Sequence, residues 1–195
     1  MTFEEIKRHL KDKVVGIAGC GGLGSNCAVA LARVGVGKLI VADFDTIVEG
    51  NLNRQYFFFN QIGRKKAYCL QENIFRINPD TQVLAHDIKL GPDDIKDVFT
   101  GCDIIVEAFD LASMKQMIIE TVLDRLPDTW IVSGVGLAGW GDNNSIKETM
   151  HGKLIICGDG IKEVSDENPP LAPRVGIVAN MQANAVLEIL LGGRV

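Results

Sequence analysis

The stretch Val14-Val15-Gly16-Ile17-Ala18-Gly19-Cys20-Gly21-Gly22-Leu23-Gly24 decides the fold. Val14 to Ala18 is a short apolar run, and a strand covered on both faces of a parallel sheet reads that way, without polar alternation. The glycines after it form a turn that opens a helix. Without Cβ atoms its backbone can approach a phosphate closely, and the free N–H groups of the new helix face the anion. That helix carries Cys27, Val29, Leu31 and Val34 on one face and stops at Gly35. A second strand, Lys38 to Ala42, then puts Asp43 at its carboxyl end, where a carboxylate accepts from ribose hydroxyls. The pattern predicts an adenine-nucleotide site and is silent on the reaction. It lacks the Gly-Lys-Ser/Thr ending of a P-loop, which sets that NTPase class aside.

Directly after Asp43 the chain continues Phe44-Asp45-Thr46-Ile47-Val48-Glu49-Gly50-Asn51-Leu52-Asn53-Arg54-Gln55. A nicotinamide-dependent oxidoreductase needs the glycine turn and the acid, but has no use for Asn51, Arg54 and Gln55 so close behind them. An enzyme that splits ATP at its α-phosphate does. A carboxylate is a weak nucleophile and a poor leaving group, and attack on the α-phosphate converts it to an acyl adenylate. The catalyst must hold the carboxylate in line and neutralise charge growing on the departing pyrophosphate. Arg54, Lys66 and a magnesium ion are the candidates for that neutralisation. Asp110 lies just past an apolar strand, Ile104 to Val106, where parallel strands open into a ligand crevice; a hard carboxylate there suits Mg²⁺.

Each of these residues has a plainer reading. Asp43 can cap a turn, Asn51 can make an Asx-turn, and Arg54 and Gln55 can be solvated loop residues. Lys66 stands beside Lys65 in the first turn of a helix, where lysines are commonly exposed. Asp110 is a natural N-cap for the helix behind it.

Thr2 and Glu5 form a capping box for a short helix bearing Phe3, Ile6 and Leu10. A helix is expected from about Lys65 to Ile77, ended by Asn78-Pro79, and others over Met114 to Leu126 and Arg174 to Leu191. Val83 to His86, Ile131 to Ser133, Ile146 to Thr149 and Lys153 to Cys157 read as further strands, the last two antiparallel across a turn at His151-Gly152. Strands alternating with helices predict an α/β fold: a Rossmann-like, doubly wound, mostly parallel sheet with antiparallel edge strands, in one domain over residues 1–195. Gly158 to Pro173 breaks the rhythm with three prolines, clustered charge and little apolar periodicity, and is expected to be a long, mobile surface loop.

Gly19 to Ser25, Asp43-Phe44-Asp45, Asn51-Leu52-Asn53-Arg54-Gln55, Ile62-Gly63-Arg64-Lys65-Lys66-Ala67, Asn78-Pro79, Pro173-Arg174-Val175-Gly176 and Met181-Gln182-Ala183-Asn184 together resemble the adenylating domain of the ubiquitin-activating enzyme superfamily. The resemblance runs in order from about Lys13 to the end, and is strongest to the short bacterial ThiF-type enzymes that activate a sulfur carrier for thiamine biosynthesis. It implies ATP-dependent adenylation of the C-terminal glycine of a small β-grasp sulfur-carrier protein by a homodimer. It places Gly19, Gly21, Gly22, Gly24, Asp43, Asp45, Asn51, Arg54, Gln55 and Lys66 around the nucleotide. Arg54, Lys66 and Asp110 act in the chemistry, with Asp110 on Mg²⁺, and the 158–173 loop corresponds to the crossover segment over the carrier's tail. A non-catalytic adaptor that binds nucleotide or carrier is the alternative within the resemblance.

The chain departs from the pattern in places. Leu111 stands where an Asn usually follows the acid, Lys115 where an Arg is frequent, and the paired Cys-x-x-Cys motifs of many relatives are missing. Arg8 is the candidate for an N-terminal arginine acting in a partner's site, against a plain helix-surface charge. Cys157 is the candidate for a covalent intermediate, against a small core residue ending a strand.

The composition, 195 residues with 47% hydrophobic content, suffices for one substantial core. A formal net charge of −5 leaves no basic footprint for nucleic acid, and no Lys/Arg run suggests one locally. The acidic start Met-Thr-Phe-Glu-Glu is unlike a signal peptide, and no apolar stretch is long enough to span a membrane, so a cytoplasmic protein is expected. The five cysteines form no Cys-x-x-Cys pair, which predicts neither a disulfide framework nor a zinc site.

Overall fold

The helices and strands alternate as the sequence pattern predicts. The computed structural model describes residues 1–193 as α1 (Phe3–Leu10), β1 (Val14–Ala18), α2 (Gly22–Val34), β2 (Lys38–Ala42), α3 (Lys66–Ile77), β3 (Gln82–His86), α4 (Pro92–Phe99), β4 (Ile104–Glu107), α5 (Ala112–Arg125), β5 (Trp130–Val135), β6 (Lys147–His151), β7 (Leu154–Gly158) and α6 (Ala172–Leu190). Arg194 and Val195, the end of the expected domain span, lie outside the described residues. The strands form one sheet in the order β3-β2-β1-β4-β5-β7-β6. The neighbouring pairs are parallel except β6 with β7, the antiparallel edge that the turn at Gly152 creates.

The chain winds outward from β1 in one direction through β2 and β3, and in the other through β4 and β5. Ala18 at the end of β1 pairs with Ala42 on one side and Glu107 on the other. The crevice of a doubly wound sheet opens at this reversal, above the carboxyl ends of the strands.

Period-two alternation sorts the core into two layers. Val15, Ile17, Ile104 and Val106 join Leu31, Leu70 and Val178 in the layer under α2, α3 and α6. Ala18, Ile105 and Ile131 face the other way, against Ile95, Phe99 and Ile118 of α4 and α5. Gly16 is small because a Cβ there would stand 2.6 Å from Phe99 Cδ1.

Most boundaries fall within a residue or two of the sequence reading. The Thr2–Glu5 capping box is formed, and Leu10 is buried, but Phe3 is exposed with Lys7 lying over its ring. The sequence pass did not register α4. Its Pro92 start and its acidic first turn, Asp93 and Asp94, are good N-terminal signals, yet two turns carry too few apolar positions to show a period.

Candidate nucleotide site

The glycine turn is cinched between the ends of β2 and β4. Gly19 N–H donates to Ala42 O at 2.9 Å. At Gly19, with φ +94°, a Cβ would meet Ala108 O at 2.9 Å, and at Gly24 it would stand 1.8 Å from Gly19 O, so the backbone packing itself demands both glycines. Gly21 is different. The nearest atom to a Cβ there is Gln55 Nε2 at 3.7 Å, an ordinary contact, so the packing of the protein itself does not demand a glycine at this position.

Asp43 ties this turn to β2. Its Oδ2 accepts from Cys20 N–H at 2.6 Å and its Oδ1 from Asp45 N–H at 2.8 Å. Burial pushes the Asp43 carboxyl above its usual range, against the pull of these two N–H groups and of Lys66. A carboxylate has about four acceptor sites, so lone pairs remain for a ribose.

The two adjacent lysines separate. Lys65 Nζ donates to Phe44 O at 2.7 Å and pairs with Asp87 at 2.9 Å, whereas the buried Lys66 side chain reaches Asp45 Oδ2 at 2.8 Å. Asp45 is thus the partner that keeps the Lys66 charge inside the crevice. Asn51 makes no Asx-turn; its Oδ1 reaches back to accept from Val48 N–H at 3.0 Å, at the start of the short Glu49–Asn51 turn. The Arg54 stem lies over Gly22, its Cγ 3.4 Å from where a Cβ would be. Its Nη1 donates to Gly50 O at 3.2 Å and to Asn53 Oδ1 at 2.8 Å. Partial burial makes the Arg54 charge harder to hold, while the Asp110 carboxylate nearby favours it. Beside Gly21, Gln55 is buried and its Oε1 has no hydrogen-bond partner. A buried acceptor left open costs roughly 1–3 kcal/mol, and a ligand donor would remove that penalty.

Asp110 is not a helix cap. Helix α5 begins at Ala112 with Leu111 at its cap position and no side-chain cap bond, which leaves the exposed Asp110 carboxylate beside Arg54. Behind it sits a buried cluster that sequence reading missed. The fully buried Glu107 carboxylate takes Phe109 N–H at 2.7 Å, Ser133 Oγ at 2.6 Å and Lys115 Nζ at 2.9 and 3.1 Å, and Lys115 also donates to Gly134 O at 2.8 Å. An acid ending a strand gives no local sign that it will be buried. Lys115, eight residues on, was the one available signal.

A second missed pair anchors the 158–173 segment, which carries no helix or strand between β7 and α6. Arg174 Nη2 pairs with Asp159 Oδ2, both side chains 2% exposed, and Arg174 also donates to Gly141 O at 2.7 Å and Gly136 O at 3.3 Å. Asp159 Oδ1 takes the N–H groups of Ile161 and Lys162. Arg8 is exposed on α1, and Cys157 is fully buried near the end of β7. Among the described residues no group of three or more His, Cys, Asp or Glu gathers as a metal cage. No described helix is long and apolar enough to cross a membrane.

Fold and site define a class: doubly wound α/β domains with a glycine turn, an acid and two cations converging at the switch point. The ThiF family model matches residues 2–194, and the chain belongs to that family. The sulfur carrier protein ThiS adenylyltransferase of Escherichia coli K12 is 26% identical over 204 residues, which cover 95% of this chain and 75% of that protein. Ubiquitin-like modifier-activating enzyme 5 of Caenorhabditis briggsae is 31% identical over 138 residues, 65% of this chain and 32% of its own length. The chain therefore spans about a third of several curated relatives it matches. The solved structure of Escherichia coli tRNA N6-threonylcarbamoyladenosine dehydratase, TcdA, in complex with ATP superposes with a TM-score of 0.87 at 21% identity, over 97% of this chain and 90% of that one. At that identity the likeness speaks to the fold.

Proposed function

We propose that this chain is an adenylyltransferase that uses ATP to activate the C-terminal glycine of a small β-grasp sulfur carrier. The observation that carries the reading is Arg54 laid over the glycine turn with Asp110 beside it, a cation and a free carboxylate at the phosphate end of the crevice. A reductase would have no work for either. In the reaction a carrier carboxylate oxygen bonds to the α-phosphorus of ATP, the bond from that phosphorus to the bridging oxygen breaks, and pyrophosphate leaves with its electrons. Arg54 and Lys66 supply positive charge where negative charge accumulates. Asp43 and the open Gln55 Oε1 fix the nucleoside end.

Mg²⁺ fits the residues present. It is held through one or two carboxylates with substrate phosphates and waters completing its octahedron, and Asp110 is a single uncapped carboxylate facing that task. When bound, the ion would share in neutralising the pyrophosphate. The reading further includes a homodimer, which rests on the family, a cytoplasmic setting, and a carrier of the ThiS kind serving thiazole synthesis, which the match to the ThiS adenylyltransferase supports.

The test is exchange of labelled pyrophosphate into ATP in the presence of a panel of ThiS-type and related β-grasp carriers. We expect one carrier to support exchange, chelation of Mg²⁺ to stop it, and removal of that carrier's terminal glycine to abolish it. Equal exchange with the shortened carrier would show that the tail is not the nucleophile. Tight NAD binding with no adenylate formed on any carrier would favour the oxidoreductase.

A further inference from the structure

Asn53 joins two parts of the molecule that the fold otherwise keeps apart. Its Oδ1 accepts from Arg54 Nη1 at 2.8 Å, and its Nδ2 donates to Pro170 O at 3.2 Å. One amide therefore touches both the arginine over the glycine turn and the segment that leads into α6. The acceptor end of that segment is well fixed. Pro170 bridges to Ala138 and Gly139, Gly139 N–H donates to Pro169 O at 3.0 Å, and Arg174, four residues further on, is buried against Asp159. The arginine end is fixed as well, since Asn26 Nδ2 holds Arg54 O at 2.9 Å and Gly22 O at 2.7 Å. With both backbones held, the Asn53 side chain is the element free to report movement from one to the other.

We propose that Asn53 is a positioning residue that couples nucleotide occupancy at Arg54 to the conformation of residues 160–171. The inference rests on the ATP reading above. A guanidinium has five donors in a rigid fork, and recognition of a phosphate fixes the orientation of the whole fork. Turning it toward a phosphate changes what Nη1 offers to Asn53 Oδ1, and the same amide then holds Pro170 O more or less firmly. Coupling of this kind is reciprocal, so whatever docks on the loop shifts affinity for the nucleotide by the same factor. One shared hydrogen bond corresponds to about a fivefold effect. Asn53 is exposed, and substitutions of exposed side chains usually change stability by no more than about 0.5 kcal/mol, so Asn53→Ala is expected to leave the fold intact.

The experiment is hydrogen exchange, read by mass spectrometry on peptides covering residues 160–171, with and without saturating Mg²⁺·ATP, beside calorimetry of ATP binding. In the wild type ATP should change loop exchange by about fivefold. In Asn53→Ala that change should vanish while ATP still binds with a Kd within roughly fivefold of the wild type. An equal ATP effect in both proteins overturns the role of Asn53, and so does a wild-type loop that ignores ATP that it demonstrably binds. Calorimetry showing no ATP binding by the wild type would instead remove the adenylyltransferase reading, and the coupling with it.

Discussion

Arg54 is held by weak local partners, two carbonyl-type oxygens and the field of Asp110, inside a surface that burial makes unfavourable for its charge. Such a cation is poised for an incoming anion and contributes little to the resting fold. Arg54→Ala should therefore slow single-turnover adenylate formation by about a hundredfold or more, the scale of a preorganised charge stabiliser, while AMP affinity changes little. A large loss of AMP binding with an unchanged chemical step would place Arg54 in nucleoside recognition instead. The residues of this crevice were legible in sequence where their signal is local. The glycine turn, Asp43 and Arg54 follow one another along a single βαβ unit. Glu107, Lys115, Asp159 and Arg174 were not legible as ion pairs, because a buried pair is made by tertiary approach and leaves no period in the chain.

At the scale of elements, the 158–173 segment shows what a proline-rich loop without regular structure can still do. Burial pushes the Asp159 carboxyl up, but the N–H groups of Lys162 and Ile161 and the Arg174 charge outweigh it, so its pKa lies below the usual carboxylate value. A group whose folded pKa is depressed stabilises fully above its unfolded pKa and loses that contribution as pH falls through the folded one. The anchor should therefore hold unchanged from about pH 8 to about pH 5 and release only below about pH 4. Trp140, exposed beside the Gly141 carbonyl that Arg174 grips, is the reporter. Its emission, recorded in a Trp130→Phe background, should stay flat over the upper range and change in the lower. A transition between about pH 6 and 7 would mean that a histidine-like group holds the loop instead. Helix α4 teaches the complementary lesson. Its caps were readable and its two-turn face was not, although Phe99 from that face is fully buried against Gly16.

Across the whole molecule, alternation of strand and helix was enough to predict the doubly wound sheet and its antiparallel edge, since each connection leaves few ways to cover both faces. All five cysteines lie inside that sandwich: Cys20 in the glycine turn, Cys27 on α2, Cys69 on α3, Cys102 before β4 and Cys157 on β7. Burial pushes the Cys102 thiol up to about 12, and raises Cys20 with the negative Asp43 adding to the effect. The native protein should thus resist thiol reagents until it opens, and its own cysteines form a set of clocks distributed from the ligand end of the sheet to the opposite end. A ligand at about 100 times its Kd stabilises the native state by about 2.7 kcal/mol, which slows labelling through global opening about 100-fold. If the domain opens as one unit, Mg²⁺·ATP should retard alkylation of Cys20 and of the remote Cys102 by the same factor, read site by site by mass spectrometry. Retardation confined to Cys20 would reveal that the turn breathes alone, and would turn a sealed interior into a map of where the molecule yields first.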